Sequence, residues 1–254
     1  MHNVIFLSAG SGNRLRPYTV GIPKCFVKYK NISLIENQFQ LFKGMPVANF
    51  FIVYGKYYYL YKKLNATLIK NALFAKTNMV YSLYCARDQF KNNLIISYTD
   101  INYSNRVIKK LFYQKDHISV VIDKKWENYW KKRSINYLDD TETLKLNKSG
   151  YIIDIGNKVL NKKKDVAGQY IGLIKFPKKL IGSIKEELEK LYISKNINNK
   201  DFNNAYLTDF LNHLAKIGYK LKPIFINNDW IEIDTVRDYK SMINSLRYKN
   251  LNNT

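Results

Sequence analysis

A short apolar run, Val4 to Ser8, breaks without transition into Ala9-Gly10-Ser11-Gly12-Asn13-Arg14, and this junction constrains the chain more than any other feature. A run this brief and this apolar reads as a buried strand. Glycines just past its end let backbone N–H groups approach an anion closely, because no Cβ stands in the way. Arg14, Arg16 and, after Ile22-Pro23, Lys24 bring positive charge to the same place. The spacing is not that of a P-loop, which needs a four-residue gap before Gly-Lys-Ser/Thr. Nor is it the dinucleotide fingerprint, whose third glycine is missing.

Beyond the turn the hydrophobic period alternates between two and three-to-four residues in strand-then-helix order, which predicts a layered α/β fold. Helices are predicted over Leu34 to Lys43, Tyr57 to Leu64 and Met79 to Cys85, the last with Asn78 as N-cap. Strands are predicted over Phe50 to Tyr54 and Leu94 to Tyr98, the second running into Asp100. Past Val120 the pattern turns strand-rich: Ile118 to Ile122, Thr143 to Leu146, Tyr151 to Ile155 and Gln169 to Phe176. Helices Pro177 to Leu191 and Ala205 to Ile217 follow, then strands Leu221 to Ile226 and Trp230 to Ile233, and a last helix, Thr235 to Leu246. The Lys-rich segments Asn161 to Lys164 and Lys195 to Lys200 read as solvated loops, and Asn250 to Thr254 as a frayed end.

Composition removes several classes. A hydrophobic content of 46% over 254 residues fills a core, and 11 Gly with 5 Pro exclude collagen-like or low-complexity chains. No apolar run nears the roughly 18 residues of a membrane span, and Met1 to Ala9 lacks the basic start and long apolar stretch of a secretory signal. A cytoplasmic location is expected, with no membrane partner. Cys25 and Cys85 form neither a disulfide framework nor a zinc pattern and read as ordinary thiols. The net charge of +22 raises phosphate-bearing partners, nucleic acid among them. The cations are spread along the whole chain, however, beside heavy use of Asn, Ile, Tyr and Phe, the bias of AT-rich coding DNA. The surplus therefore reads as composition, and no nucleic-acid partner is expected.

Gly10-Ser11-Gly12-Asn13-Arg14-Leu15-Arg16-Pro17-Tyr18-Thr19 with Pro23-Lys24 resembles the signature of the nucleotidyltransferases that activate sugar phosphates and related small phosphorylated compounds. Thr77-Asn78-Met79-Val80-Tyr81-Ser82-Leu83-Tyr84 resembles the base-contacting segment of the cytidylyltransferase branch, which includes phosphocholine and 2-aminoethylphosphonate enzymes. Ser97-Tyr98-Thr99-Asp100 resembles the strand end that carries the family's metal-binding aspartate. Trp230-Ile231-Glu232-Ile233-Asp234-Thr235, followed by Asp238-Tyr239, resembles its C-terminal acidic motif. The resemblance spans Val4 to Tyr239. It implies a single Rossmann-like domain over 1–254, with a mixed twisted central sheet flanked by helices. Nucleotide binding would fall to about 1–120, and acceptor binding to about 121–235.

The reaction that the resemblance implies transfers CMP from CTP to a small phosphorylated amino compound of the phosphoglutamine, 2-aminoethylphosphonate or phosphocholine type, with release of pyrophosphate. It serves capsule or cell-surface polysaccharide modification in the expected setting. Two phosphates must approach each other, so a divalent cation and fixed positive groups have to offset their repulsion. Mg²⁺ is the expected cofactor, since it takes one or two carboxylates and keeps several waters. Asp100 offers one carboxylate. Glu232 and Asp234, two apart on a strand, project to one face while Ile231 and Ile233 project to the other. The family's acid two residues after the Trp corresponds to Glu232, and Asp234 stands where a Gly is usual, so both remain metal candidates. The resemblance assigns the nucleotide to Ala9, Gly10, Ser11, Gly12, Asn13, Arg14, Arg16, Asn78, Tyr81 and Ser82, with Lys24, Arg14 and Asp100 catalytic.

The acceptor side is less marked. Lys124, Lys125 and Arg133 are candidate phosphate contacts, and Tyr170 lies on a polar-aromatic strand. Trp126 and Trp130, four apart, can wall a cationic amino group, though packing a helix on the sheet is the simpler reading. This region resembles the phosphonate and phosphoglutamine cytidylyltransferases. An ionised phosphate nucleophile needs no general base, so His2, His117 and His213 are bystanders. The rival readings are a sugar-1-phosphate uridylyl- or thymidylyltransferase and a basic nucleic-acid-binding protein; a homodimer stays open.

Overall fold

Alternation along the first strand sets the architecture: Val4 and Phe6 enter one buried cluster, Ile5 and Leu7 another. A strand apolar on both faces needs helices on both faces of its sheet. The computed structural model, described over residues 1–29, 31–133 and 136–243, supplies them. Its strands are β1 (His2–Ser8), β2 (Val47–Tyr54), β3 (Thr67–Lys70), β4 (Asn93–Tyr98), β5 (Ile118–Asp123), β6 (Glu142–Leu146), β7 (Ile152–Lys158), β8 (Gln169–Phe176) and β9 (Leu221–Ile226). They form one mixed sheet in the order β3-β2-β1-β4-β8-β5-β9-β7-β6. The β3-β2-β1-β4 half is parallel, β8 runs antiparallel to both its neighbours, and β9 is parallel to β5.

Helices α1 (Leu34–Leu41), α2 (Met79–Cys85), α3 (Asn105–Phe112), α4 (Trp126–Arg133), α5 (Ile181–Ser194), α6 (Leu207–Lys216) and α7 (Val236–Ile243) surround the sheet. On one face α2, α5 and α6 bury Leu83, Leu188 and Phe210 among others. On the other, α1, α3 and α4 bury Ile35, Leu111 and Trp130. Each such side chain contributes about 1.5 to 3 kcal/mol on full burial. Ser33 and Glu36 close a reciprocal capping box at the start of α1. Among the described residues no helix is long and apolar enough to cross a membrane.

Several expectations change. The Tyr57 to Leu64 helix is one turn, Tyr58–Tyr61, with Tyr57 left-handed at φ 59° ahead of it. β3 and α3 lie where no element is predicted. The Asn161 to Lys164 loop contains a helical turn, Lys162–Asp165, capped by Asn161 and tied by Asp165 to Lys145 at 3.0 Å. Lys195 to Lys200 closes a small hairpin of Asn196–Ile197 and Lys200–Asp201. The predicted extension of the last helix past 243, and Asn250 to Thr254, lie outside the described residues.

Candidate active site

The glycine turn leaves β1 at the carboxyl end of the parallel strands, where open α/β sheets bind ligands. Gly12 has φ 66°, and a Cβ there would lie 3.3 Å from Lys24 Cβ, so glycine serves both the backbone turn and the close approach of Lys24. Thr19 Oγ1 donates to Gly12 O at 2.8 Å and Leu15 N–H to the same oxygen at 3.1 Å, which fixes the loop. A Cβ on Gly10 would meet no protein atom, so the space above it is open. A cleft of about 530 Å³ lies there, lined by Gly10, Ser11, Gly12, Asn13, Arg14 and Lys24 on one side.

Two acids far apart in sequence are brought to that cleft by a small two-stranded ribbon. Trp230–Glu232 pairs antiparallel with Ile101–Tyr103, Glu232 opposite Ile101, and Ile233 N–H donates to Asp100 O at 2.8 Å. Asp100 is therefore beside Ile233, one residue from Asp234. Thr99 Oγ1 donates to Leu7 O at 3.1 Å, anchoring the Asp100 segment to β1. Asp238 accepts from the N–H groups of Asp234 and Thr235 at 3.1 and 2.8 Å, which orients the other acid. Trp230, fully buried, donates from its indole to Asp123 at 2.8 Å and holds the ribbon to β5.

Lys24 Nζ sits between the acids, 2.7 Å from Asp100 Oδ2 and 2.6 Å from Asp234 Oδ1. Arg14 reaches Asp234 Oδ2 at 2.7 Å from an exposed position. Burial opposes charge on Lys24, but Asp100 and Asp234 overcome it and hold its pKa above the ordinary lysine range. Two carboxylate oxygens that reach one nitrogen are close enough to share a small cation. Among the described residues no three His, Cys, Asp or Glu side chains gather as a metal cage. Two hard oxygen donors facing an open cleft nevertheless fit Mg²⁺, which keeps waters and takes the rest from a phosphate.

The structure brings Gly10, Ser11, Gly12, Asn13, Arg14, Lys24, Asn78, Asp100 and Asp234 to one cleft and places the other candidates elsewhere. Ala9 is buried beneath the turn, and Arg16 is exposed outside it. Asn78 lines the cleft without capping α2; its amide donates to Asn204 O at 3.1 Å. Tyr81 points to a separate hollow beside Tyr192, and Ser82 is buried, accepting from Asn71 at 3.0 Å. Phe74 and Thr77 line the cleft although no motif marked Phe74.

The acceptor assignments change more. Lys124 Nζ stacks over Phe225, and Lys125 is held by its backbone N–H on Asp123 at 2.8 Å. Neither lines the cleft. Trp126 and Trp130 are 4% and 7% exposed and meet edge-on in the core, so they wall no ligand. Arg133 pairs with the Glu232 carboxylate and donates to Asp238 at 2.9 Å. Burial disfavours its charge, but Glu232 and Asp238 raise its pKa. Glu232 is thereby engaged by Arg133, whereas Asp100 and Asp234 face each other across Lys24. Tyr170 stacks edge-on to Tyr98 at 5.9 Å, and Tyr98 does line the cleft. The Cys25 thiol, pushed up to about 11 by burial, is inert.

This fold is that of the nucleotidyltransferases. It matches the solved inositol-1-phosphate CTP transferase from T. maritima with a TM-score of 0.74 and 20% identity, over 98% of this chain and 96% of that one. It matches the CTP:phosphocholine cytidylyltransferase from Streptococcus pneumoniae with a TM-score of 0.71 and 20% identity, over 96% and 98%. In sequence the chain is 37% identical to the CTP:phosphoglutamine cytidylyltransferase of Campylobacter jejuni over 255 residues, 95% of this chain and 99% of that protein. A choline-phosphate cytidylyltransferase from Streptococcus pneumoniae is 32% identical over 105 residues, 40% of this chain and 46% of that protein. No protein-family model matches. The chain belongs to the cytidylyltransferases, enzymes that use CTP.

Proposed function

We propose that the chain transfers CMP from CTP to a small phosphorylated amino compound of the phosphoglutamine, 2-aminoethylphosphonate or phosphocholine type, releasing pyrophosphate. The observation that carries this reading is the meeting of Lys24, Arg14, Asp100 and Asp234 at the mouth of the glycine turn. Its setting would be the cytoplasm, and its product an activated group for capsule or cell-surface polysaccharide.

In this reading the backbone N–H groups of Gly10 to Asn13 and the Arg14 guanidinium bind the triphosphate. Asn78 and Thr77, which line the same cleft, would border the nucleoside. Lys24 would hold an oxygen of the α-phosphate and one of the acceptor's phosphate, so that the acceptor oxygen attacks α-phosphorus in line with departing pyrophosphate. Asp100 and Asp234 would hold Mg²⁺, which when bound offsets the charge of the phosphates. The nucleophile is ionised already, so no side chain has to remove a proton from it. Positioning and fixed charge supply the rate.

The test is a panel of CTP, UTP, dTTP, ATP and GTP against phosphoglutamine, 2-aminoethylphosphonate, phosphocholine and sugar 1-phosphates, read by pyrophosphate release. Turnover with CTP and an amino acceptor is the expected result. Turnover confined to UTP or dTTP with a sugar 1-phosphate would replace the reading.

A further inference from the structure

Asp100 reaches the cleft from a turn, and one buried side chain holds that turn from behind. Ile35 and Phe42 mark the inward side of α1; Gln38, three residues after the first and four before the second, lies on the same side and is fully buried. Its amide is spent on the Asp100 segment. Nε2 donates to Tyr98 O at 2.9 Å and also to Ile101 O, the carbonyls on either side of Thr99 and Asp100. Oε1 accepts from Ser97 Oγ at 3.0 Å, and Ser97, itself fully buried, has the Tyr103 hydroxyl 3.2 Å from its oxygen. A single side chain of α1 thus joins the end of β4, the turn and the first residue of the ribbon.

Burying an amide is costly unless its donors and acceptor are met, and a Met or Leu would fill the same space without that cost. The amide is accounted for by what it grips. Thr99 Oγ1 on Leu7 O ties the turn to β1, and Ile233 N–H on Asp100 O ties it to the ribbon. Gln38 adds the third direction, toward the helical layer. With the backbone held on three sides, the Asp100 carboxylate keeps only its own side-chain torsions, and it meets Lys24 Nζ at 2.7 Å.

We propose that Gln38 is a positioning residue: through the Tyr98–Ile101 turn it holds the Asp100 carboxylate where Lys24, and a cation shared with Asp234, can meet it. The inference rests on the cytidylyltransferase reading, which gives Asp100 its work, and adds a residue that does not itself line the cleft.

The experiment is a double-mutant cycle of Gln38→Met and Asp100→Asn, scored by kcat, by KM for CTP and by affinity for Mn²⁺ at saturating CTP, the last read from the EPR signal of the free ion. Loss of a partner that orients a metal-binding carboxylate costs about 10- to 100-fold in affinity or activity. Gln38 grips the main chain and not the carboxylate, so we expect the lower end: kcat and Mn²⁺ affinity each down about tenfold, with KM for CTP within about threefold. In the Asp100→Asn background the same change should move both by less than about twofold, because no carboxylate is left to aim. A Gln38 that only stabilises the fold would lower both by one factor in either background. That result, or a folded Gln38→Met with both quantities within about twofold of wild type, would overturn the assignment. Should Gln38→Met not fold, Ser97→Ala removes only the bond that orients the amide. It should cost about threefold, the worth of one neutral hydrogen bond, in the wild-type background alone, and an equal loss in both backgrounds would again overturn the assignment. Wild type without turnover on any nucleotide and acceptor would remove the reading of the site, and the Mn²⁺ affinities would still decide the positioning.

Discussion

Replacing Lys24 by Met keeps most of the side-chain stem and removes only the charge that Asp100 and Asp234 share. The side chain is 18% exposed, and both contacts are under 2.8 Å, so solvent screens them weakly. Without it the two acids face each other with only Arg14, 73% exposed, against them. Like charges about 5 Å apart repel by roughly 3 kcal/mol at an effective dielectric near 20. Breaking a buried pair from one side costs about 3 to 5 kcal/mol, and the partial exposure argues for the lower end. A loss of about 3 kcal/mol lowers Tm by about 6 to 12 °C in a chain of this size. Magnesium should return part of that, because a cation between the carboxylates removes their repulsion. Turnover should fall about 100- to 1000-fold, the usual effect of deleting one fixed group that offsets developing charge. Melting with and without Mg²⁺, beside pyrophosphate release at saturating CTP, reads both effects. A folded variant with turnover within tenfold of wild type would refute the catalytic role of Lys24, and an unchanged Tm in chelator would refute the electrostatic argument.

Asp234→Asn should lower kcat about 100-fold and raise the Mg²⁺ concentration for half-maximal rate, whereas Glu232→Gln, already engaged by Arg133, should cost less than tenfold; the reverse ranking would exchange their roles. Burial lowers Lys175 from 10.5 to about 8, so its charged form destabilises the fold fully below pH 8 and is relieved as pH rises to 10.5. Relative to Lys175→Met, wild type should therefore gain about 3 kcal/mol across that window in urea titrations; a constant difference would contradict this. Gly172→Ala should cost about 2 to 4 kcal/mol, since its φ of 87° and the Tyr98 ring both oppose a Cβ, and a smaller loss by chemical denaturation would show that Tyr98 yields.

What was legible in the sequence is what local chemistry writes locally. The strand, the glycines and the cations of Val4 to Lys24 are contiguous, and each residue type is demanded by its own backbone or charge. Asp100 and Asp234 were legible as acids at strand ends, but their meeting was not. It depends on a three-residue ribbon in which Trp230–Glu232 reads as a strand but its partner, Ile101–Tyr103, carries no periodic signal of its own. The choice between Glu232 and Asp234 turns on Arg133, 99 residues before Glu232, and a cation reads the same in sequence whether free or paired.

Aromatic and charged residues expected to meet the acceptor were misread for the same reason. Spacing of four puts Trp126 and Trp130 on one helix face without saying whether that face meets a ligand or the sheet; they face the sheet. In this fold the cleft joins the loop after β1 to the end of β4 and to the residues just past the ribbon, segments distant in the chain, so that only the loop can be found by reading along it.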